Sequence, residues 1–569
     1  MQLNLKPGIK KIYENRYCYL CLIFVFFILL GLLDTYPLFL HITDYFPPNH
    51  IGNELNSYCD TLQTYYYFWL FKDNLLHGGN IFYNRYEFSI DGYKEYRGLW
   101  GFPLTILFLI LSSFGDIFAY NALIILSFGF SGLGMYLLVE YLTKDKYSGL
   151  ISGIIYSMAP FRVGEILILG HIGGFFALFL PFIIYFYERA FTKKSLTDMM
   201  FAGMCILTVA FTEWHITYYI FLFTLIYIPF KLLMQTNKDD LTKNISKYLK
   251  IFSVLLIFIS LSIGYIMHYK SQSRLNEFEG WDLNAICCYS PHPFYFFIRH
   301  QLNEFYLGIF PIVIIIATLI QTKRIPKNLH VWFYTLIFFG SVILTLGPNF
   351  PLPNLSLYML FYKFLPFFDH FRSPARIAIM VVLSLAILTG FAINRFPTAS
   401  GIPRKIANII IIALILPMVA DYTFAPLNIG QLDENNEVYR IVKESKSDSK
   451  ILEIPIISAD WPGNSIYEYY ITLHKKGIIN GYSPFPPRKY VELKEKFKSI
   501  NFGELNESQY ELMKEKDIGF VIVHGRMLEY RNFNTSMNKF IESPYLEFIK
   551  NDKDIWLFKV KYDEETIKN

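Results

Sequence analysis

Long apolar runs recur from Tyr17 to about Phe424, and the connections rich in Lys and Arg fall on every second gap between them. A run that crosses hydrocarbon needs about 20 apolar residues, because only a helix that satisfies its own backbone hydrogen bonds persists there. The chain therefore reads as an α-helical polytopic membrane protein, multi-pass in the cell membrane. Cytoplasmic connections carry the excess of basic residues, so the opening segment, with Lys6, Lys10, Lys11 and Arg16, is expected in the cytoplasm. The first apolar run, Cys18 to Leu33, leads into Asp34, Thr35, Tyr36 and Pro37 rather than a small-residue cleavage site, and it reads as a retained anchor.

Spans are expected at 17–34, 117–140, 147–159, 171–190, 198–212, 214–233, 249–268, 305–322, 331–347, 375–394 and 405–424, about eleven transmembrane helices. The basic connections at Lys144 and Lys146, at Arg189 to Lys194, at Lys231 to Lys250, at Lys323 to Lys327 and at Arg395 to Lys405 then share one side. That parity holds only if the apolar stretch 100–111 does not cross, so it reads as an interfacial or re-entrant helix. Residues 35–97 become a long external loop, rich in Tyr and Phe and holding Asp44, Asp60, Asp73 and Asp91. Charged residues make up only 17% of the chain, and the formal charge of +5 is spread over many loops, which gives no support for nucleic acid as a partner.

After Phe424 short apolar runs alternate with charged stretches. Lys450 to Ile457 and Ile518 to His524 read as buried strands, 466–475, 488–498 and 508–516 as helices, and 546–560 as a hairpin. The division expected is a transmembrane domain, 1–424, and an extracytoplasmic α/β soluble domain, 425–569. Among the cysteines, Cys59, Cys287 and Cys288 fall outside the membrane, where one disulfide is open to them. No Cys/His spacing points to zinc.

On the outer side, loops gather ionisable groups that are expensive near hydrocarbon and that mark function by default. These are Asp60; Arg162 and Glu165, then His171; Glu213 and His215; His292; Glu304; and Asp369, His370, Arg372 and Arg376. A carboxylate that deprotonates an acceptor, together with arginines that grip a phosphate, is what glycosyl transfer from a lipid phosphate requires. Asp60 with Arg162, Arg372 and Arg376 supplies both halves. The competing readings are structural. Asp60 can serve as an N-cap of the stretch that follows, the two arginines as headgroup contacts, His171 as a loop anchor, Glu213 as a turn residue, and His292 as part of a rigid Pro-flanked turn.

The order of these features resembles the type C (GT-C) superfamily of membrane glycosyltransferases, and within it an uncharacterised prokaryotic branch. The resemblance rests on Ser131-Gly132-Leu133-Gly134-Met135-Tyr136, on Gly149 to Pro160 leading into Phe161-Arg162 and Gly170-His171, on Ser290-Pro291-His292-Pro293, on Phe371-Arg372-Ser373-Pro374-Ala375-Arg376, and on Ile479-Asn480-Gly481-Tyr482. It implies a cytoplasmic amino terminus, a first external loop with a catalytic carboxylate, for which Asp60 is the match by position, and a polyprenyl-phosphate sugar donor. It also implies inverting transfer to a glycan, lipid or protein acceptor. Cys59 and Thr61 replace the paired acidic motif of many O-mannosyltransferases, so a divalent metal stays an open question. The expected substrate-binding set is Arg162, His171, Glu213, His292, Arg372 and Arg376. The alternatives are a transporter or flippase, for which no paired repeat is visible, and a non-catalytic membrane scaffold.

Overall fold

The computed structural model describes residues 15–47, 59–234, 244–273, 278–299, 304–322, 328–352, 356–528 and 533–562. Lys6, Lys10, Lys11, Lys323, Arg324 and Lys327 lie outside them, as does the side chain of Cys59. All eleven expected runs contain helix. Among the described residues, eight helices are long and apolar enough to cross a membrane, and a ninth span arises if the bent pair Lys146–Ser157 and Pro160–Leu167 counts as one. The remaining two fall short: Leu196–Ala210 has 15 residues and Ile309–Thr322 has 14, about 22 Å of helix against about 30 Å of hydrocarbon. The bent pair breaks where Pro160 begins the second helix, since proline suits a first turn and disrupts an interior one. The stretch 100–111 forms an eight-residue helix, Leu104–Leu111, about 12 Å long and too short to cross.

The chain divides into two compact units. The first, Met1–Ile42 with Asn121–Met267 and Phe278–Asn428, is helical. Its centre is the span Pro374–Ser400, whose apolar 18-residue stretch is 89% buried, whereas that of Ile245–Gln272 is 17% buried and keeps an apolar surface for lipid. Helices approach closely where glycines leave room. A Cβ at Gly132 would fall 2.2 Å from the Phe27 ring and one at Gly153 2.3 Å from it, so Phe27 fills a notch between two helices. Ser131 to Tyr136 is thus a packing motif.

The second unit joins Thr43–Tyr120 and His268–Glu277 to Ile429–Asn569. Thr43–Tyr120, which the sequence groups with the membrane region, thus clusters with the C-terminal part. A four-stranded sheet forms its frame: β1 (Lys450–Ile454), β2 (Ile518–His524), β3 (Leu546–Asp552) and β4 (Ile555–Val560), in the order β1-β2-β4-β3. β1 and β2 run parallel, and the other neighbours are antiparallel. All seven residues of β2 are buried, as its unbroken apolar run requires. The loop enters this core directly. Phe88 and Ile90 pack with Leu452, Ile454 and Ile479, and the Phe88 N–H donates to the Asn480 carbonyl at 3.0 Å while Ile478 N–H donates to that of Tyr86 at 2.7 Å.

Candidate active site

In the helical unit the polar loop residues converge. Gly170 takes a φ of +68°, which turns the chain so that His171 stands at the head of the next helix. There His171 Nδ1 lies 3.0 Å from the Gly173 backbone nitrogen, capping that helix, and 3.0 Å from Glu165 Oε2. A Cβ at Gly173 would fall 2.8 Å from His171 Nδ1 and 3.3 Å from Glu213 Oε2, which sets the two acid–imidazole pairs side by side. Glu213 Oε1 lies 3.0 Å from His215 Nδ1, so this ring nitrogen is the donor. Arg376 Nη1 lies 3.1 Å from Nδ1 and 3.4 Å from Nε2, so the guanidinium rests against the His215 ring. Glu304 backs onto Gly164, whose added Cβ would meet the Glu304 Cβ at 2.9 Å. Burial and the charge of Glu165 push the Glu304 carboxyl well above the ordinary range. The result is a cluster of three carboxylic groups, two imidazoles and one guanidinium, with Glu165 and Glu213 almost wholly buried.

The other expected residues stand differently. Arg162 is fully buried: Nε and Nη2 donate to the Ser157 carbonyl at 3.0 and 2.5 Å, Nη1 donates to Ser127 Oγ at 3.3 Å, and Phe128 lies beneath the guanidinium. It satisfies the frayed end of Lys146–Ser157, so its guanidinium is already engaged by the protein's own carbonyl and hydroxyl groups. Arg162→Met is therefore expected to destabilise the protein by about 1–3 kcal/mol, as when a buried acceptor, here the Ser157 carbonyl, is left without its donor. Thermal unfolding in detergent measures this, and the folded fraction should keep its activity.

Arg372 and Arg376 do not share a helical face, because the α-helix begins only at Ala378 after a 3₁₀ turn, Pro374–Ile377. Arg372 instead lies over the rings of Trp281 and Tyr289, at 4.9 and 4.3 Å. His292 is exposed and stacked on Phe294, and it makes no ion pair among the described residues. Cys287 and Cys288 are both free thiols. Among the described residues no group of three or more His, Cys, Asp or Glu is arranged to hold a metal ion, so no step is assigned to one.

In the second unit Asp60 lies within the first turn of the helix Cys59–Leu76, not ahead of it, where its charge suits the helix dipole. Its carboxylate accepts a 2.7 Å hydrogen bond from the Tyr482 hydroxyl. Tyr482 is held at its main chain as well, since its N–H donates to Glu87 Oε1 at 2.8 Å and its carbonyl accepts from Gln63 Nε2 at 2.8 Å. The motif Ile479 to Tyr482 supplies this geometry. Asn480 clamps the Glu453 backbone with two 2.9 Å bonds, and a Cβ at Gly481 would strike the Phe88 ring at 2.6 Å.

Behind Tyr482 lies a buried acid pair that sequence reasoning missed. Glu87 faces Arg97 at 3.7 Å and accepts from Tyr482 N–H and the Asn84 amide. Glu468 Oε1 accepts from Gln63 at 3.2 Å, while its Oε2 has no such donor. The proton therefore resides on Glu468, whose carboxyl is held well above the ordinary range by burial and by the charge of Glu87. Protonated when folded and ionised when unfolded, Glu468 removes stability as pH rises above its ordinary value of 4.5. Glu468→Gln, which carries the donor permanently, is expected to raise stability at pH 8 and to flatten the decline between about pH 5 and 8, as melting curves across that range would show.

No protein-family model and no curated protein matches the sequence. Solved structures do match the fold. The arabinofuranosyltransferase AftD from Mycobacteria superposes with a TM-score of 0.60 at 10% identity, over 96% of this chain and 40% of that one. The Archaeoglobus fulgidus oligosaccharyltransferase in the apo form gives 0.50 at 12% identity, over 94% of this chain and 74% of that one. The chain thus spans two fifths of the length of the mycobacterial enzyme. This multi-pass membrane protein has the GT-C fold.

Proposed function

We propose that this protein is a glycosyltransferase that moves a sugar from a polyprenyl-phosphate-linked donor to an acceptor at the outer face of the membrane. The observation that carries the reading is the chain Arg376–His215–Glu213, in which a guanidinium is aimed by an imidazole that a buried carboxylate orients, on a fold otherwise seen in an arabinofuranosyltransferase and an oligosaccharyltransferase. Asp60 is the general base. It takes the proton of the acceptor hydroxyl as that oxygen attacks the anomeric carbon. The carbon–oxygen bond to phosphate breaks on the opposite side, the configuration inverts, and the electron pair leaves with the lipid phosphate. Arg376 meets the charge that grows there, with Arg372 as a second cation. His215 and Glu213 position the arginine, His171 and Glu165 pack beside them, and Arg162 maintains the packing beneath.

The topology belongs to the same proposal: amino terminus in the cytoplasm, residues 425–569 outside, and Leu104–Leu111 lying at the interface. The test uses purified enzyme with polyprenyl-phosphate hexose and pentose donors and follows release of polyprenyl phosphate. Release by the native chain and none by Asp60→Asn supports the reading. Release that is equal in both, or lipid flux across liposomes without release, defeats it. Accessibility labelling of single cysteines placed before residue 100 and after residue 111 tests the topology, since both should react from the outside.

A further inference from the structure

We infer that the second unit holds a separate saccharide-binding pocket, seated past the carboxyl ends of the parallel strands β1 and β2 and built around Trp461 and Asp460. A cavity of about 480 Å³ opens there, a size that suits a small ligand, and the carboxyl ends of parallel strands are where open α/β sheets place ligands. The segments after β1 and β2 line it through Ser458, Asp460, Trp461 and Met527, joined by Phe502 and Ser536.

The walls are preorganised. Asn501 clamps the Ile456 backbone through both its amide atoms, at 2.8 and 2.9 Å. The Tyr490 hydroxyl donates to the Ile457 carbonyl at 2.7 Å, and Asn464 Nδ2 donates to the carbonyls of Ser458 and Trp461 at 2.8 and 3.1 Å. The Trp461 ring packs against the turn at Gly463, where an added Cβ would lie 2.3 Å from it. The main chain around the pocket is thus tied down by internal side chains. The Asp460 carboxylate and the Trp461 indole make no ion pair or side-chain hydrogen bond among the described residues.

That combination selects a class of ligand. A sugar ring offers an apolar C–H face, which a fixed indole can cover, and a rim of hydroxyls, which a carboxylate and serine hydroxyls can pair. Among the described lining residues there is no Lys or Arg, and Asp460 brings a negative charge, so the pocket suits an uncharged saccharide better than a phosphate. A role in gripping a glycan acceptor rests on the transferase reading above, but the binding itself does not.

The test uses the full-length protein in detergent, titrated separately with maltose, N,N′-diacetylchitobiose and mannobiose and followed by thermal shift and tryptophan fluorescence. At least one disaccharide should raise the melting temperature at millimolar concentration. Asp460→Asn should weaken that binding about tenfold, as loss of a charged hydrogen-bond partner does, and Trp461→Ala should remove it. Asp60→Asn should leave it unchanged. No shift with any of the three sugars, or a shift that both pocket variants retain, overturns the proposal. Binding that persists in a chain without transfer keeps the pocket and sinks the transferase reading alone.

Discussion

Asp60→Asn is expected to lower transfer by about 10²- to 10⁴-fold, the contribution of a positioned general base, with little change in folding. Asn keeps the shape of the side chain and an oxygen for the Tyr482 hydroxyl, which lies 2.7 Å from the native carboxylate. What it loses is the capacity to take a proton, along with a first-turn charge worth about 0.3–1 kcal/mol of helix stability. Tyr482→Phe separates positioning from chemistry. The main chain at this position would stay pinned by Glu87 and Gln63, and only the hydroxyl contact with Asp60 disappears. A hydrogen bond to a charged group contributes about 1.5–3 kcal/mol, so kcat should fall roughly tenfold or more while KM for the donor holds. If Asp60→Asn transferred sugar at the native rate, the base would lie elsewhere and the role of Tyr482 would be structural only.

The sequence exposed what is periodic and concealed what is assembled from separated segments. Ile518 to His524 was legible as a strand because seven consecutive residues are all buried, and the eight long apolar helices were legible because hydrocarbon demands length and apolarity together. The membership of the first loop in the second unit was not legible. Phe88 and Ile90 carry the packing, yet two apolar residues in an aromatic-rich loop have no period to betray them. Glu87 and Glu468, 381 positions apart in the chain, look like ordinary surface acids until the fold buries both. Arg162 shows the opposite failure: an arginine next to a proline turn reads as a ligand, whereas its partner is the Ser157 carbonyl five residues back. Spacing reports which groups a loop holds. Which way each one turns is set by neighbours such as Gly170 and the 3₁₀ turn Pro374–Ile377.

Arg376→Gln should lower kcat by about 10²- to 10³-fold, the range seen when one preorganised donor to a developing negative charge is removed. In water a single guanidinium does little for a phosphate, but here it starts from a partly buried position in which His215 already fixes Nη1 at 3.1–3.4 Å, so little reorganisation accompanies the arrival of charge. Gln keeps a donor but has no charge and no fork with which to meet two phosphate oxygens. Arg376→Lys should recover part of the rate, because charge returns without the planar fork. Arg372→Gln should have a smaller effect, near tenfold, because that side chain is also engaged by the rings of Trp281 and Tyr289 and only part of its charge is committed to the leaving group. The readout that separates a phosphate ligand from a packing residue is the affinity for polyprenyl phosphate itself, measured without turnover. Arg376→Gln should weaken it about tenfold or more, the scale of a lost charge-assisted contact, whereas Arg162→Met should leave it unchanged in the folded fraction. If the order is reversed, with Arg162 governing affinity and Arg376 governing only the melting temperature, then the phosphate belongs beside Ser157 and the chain from Glu213 to Arg376 is structural.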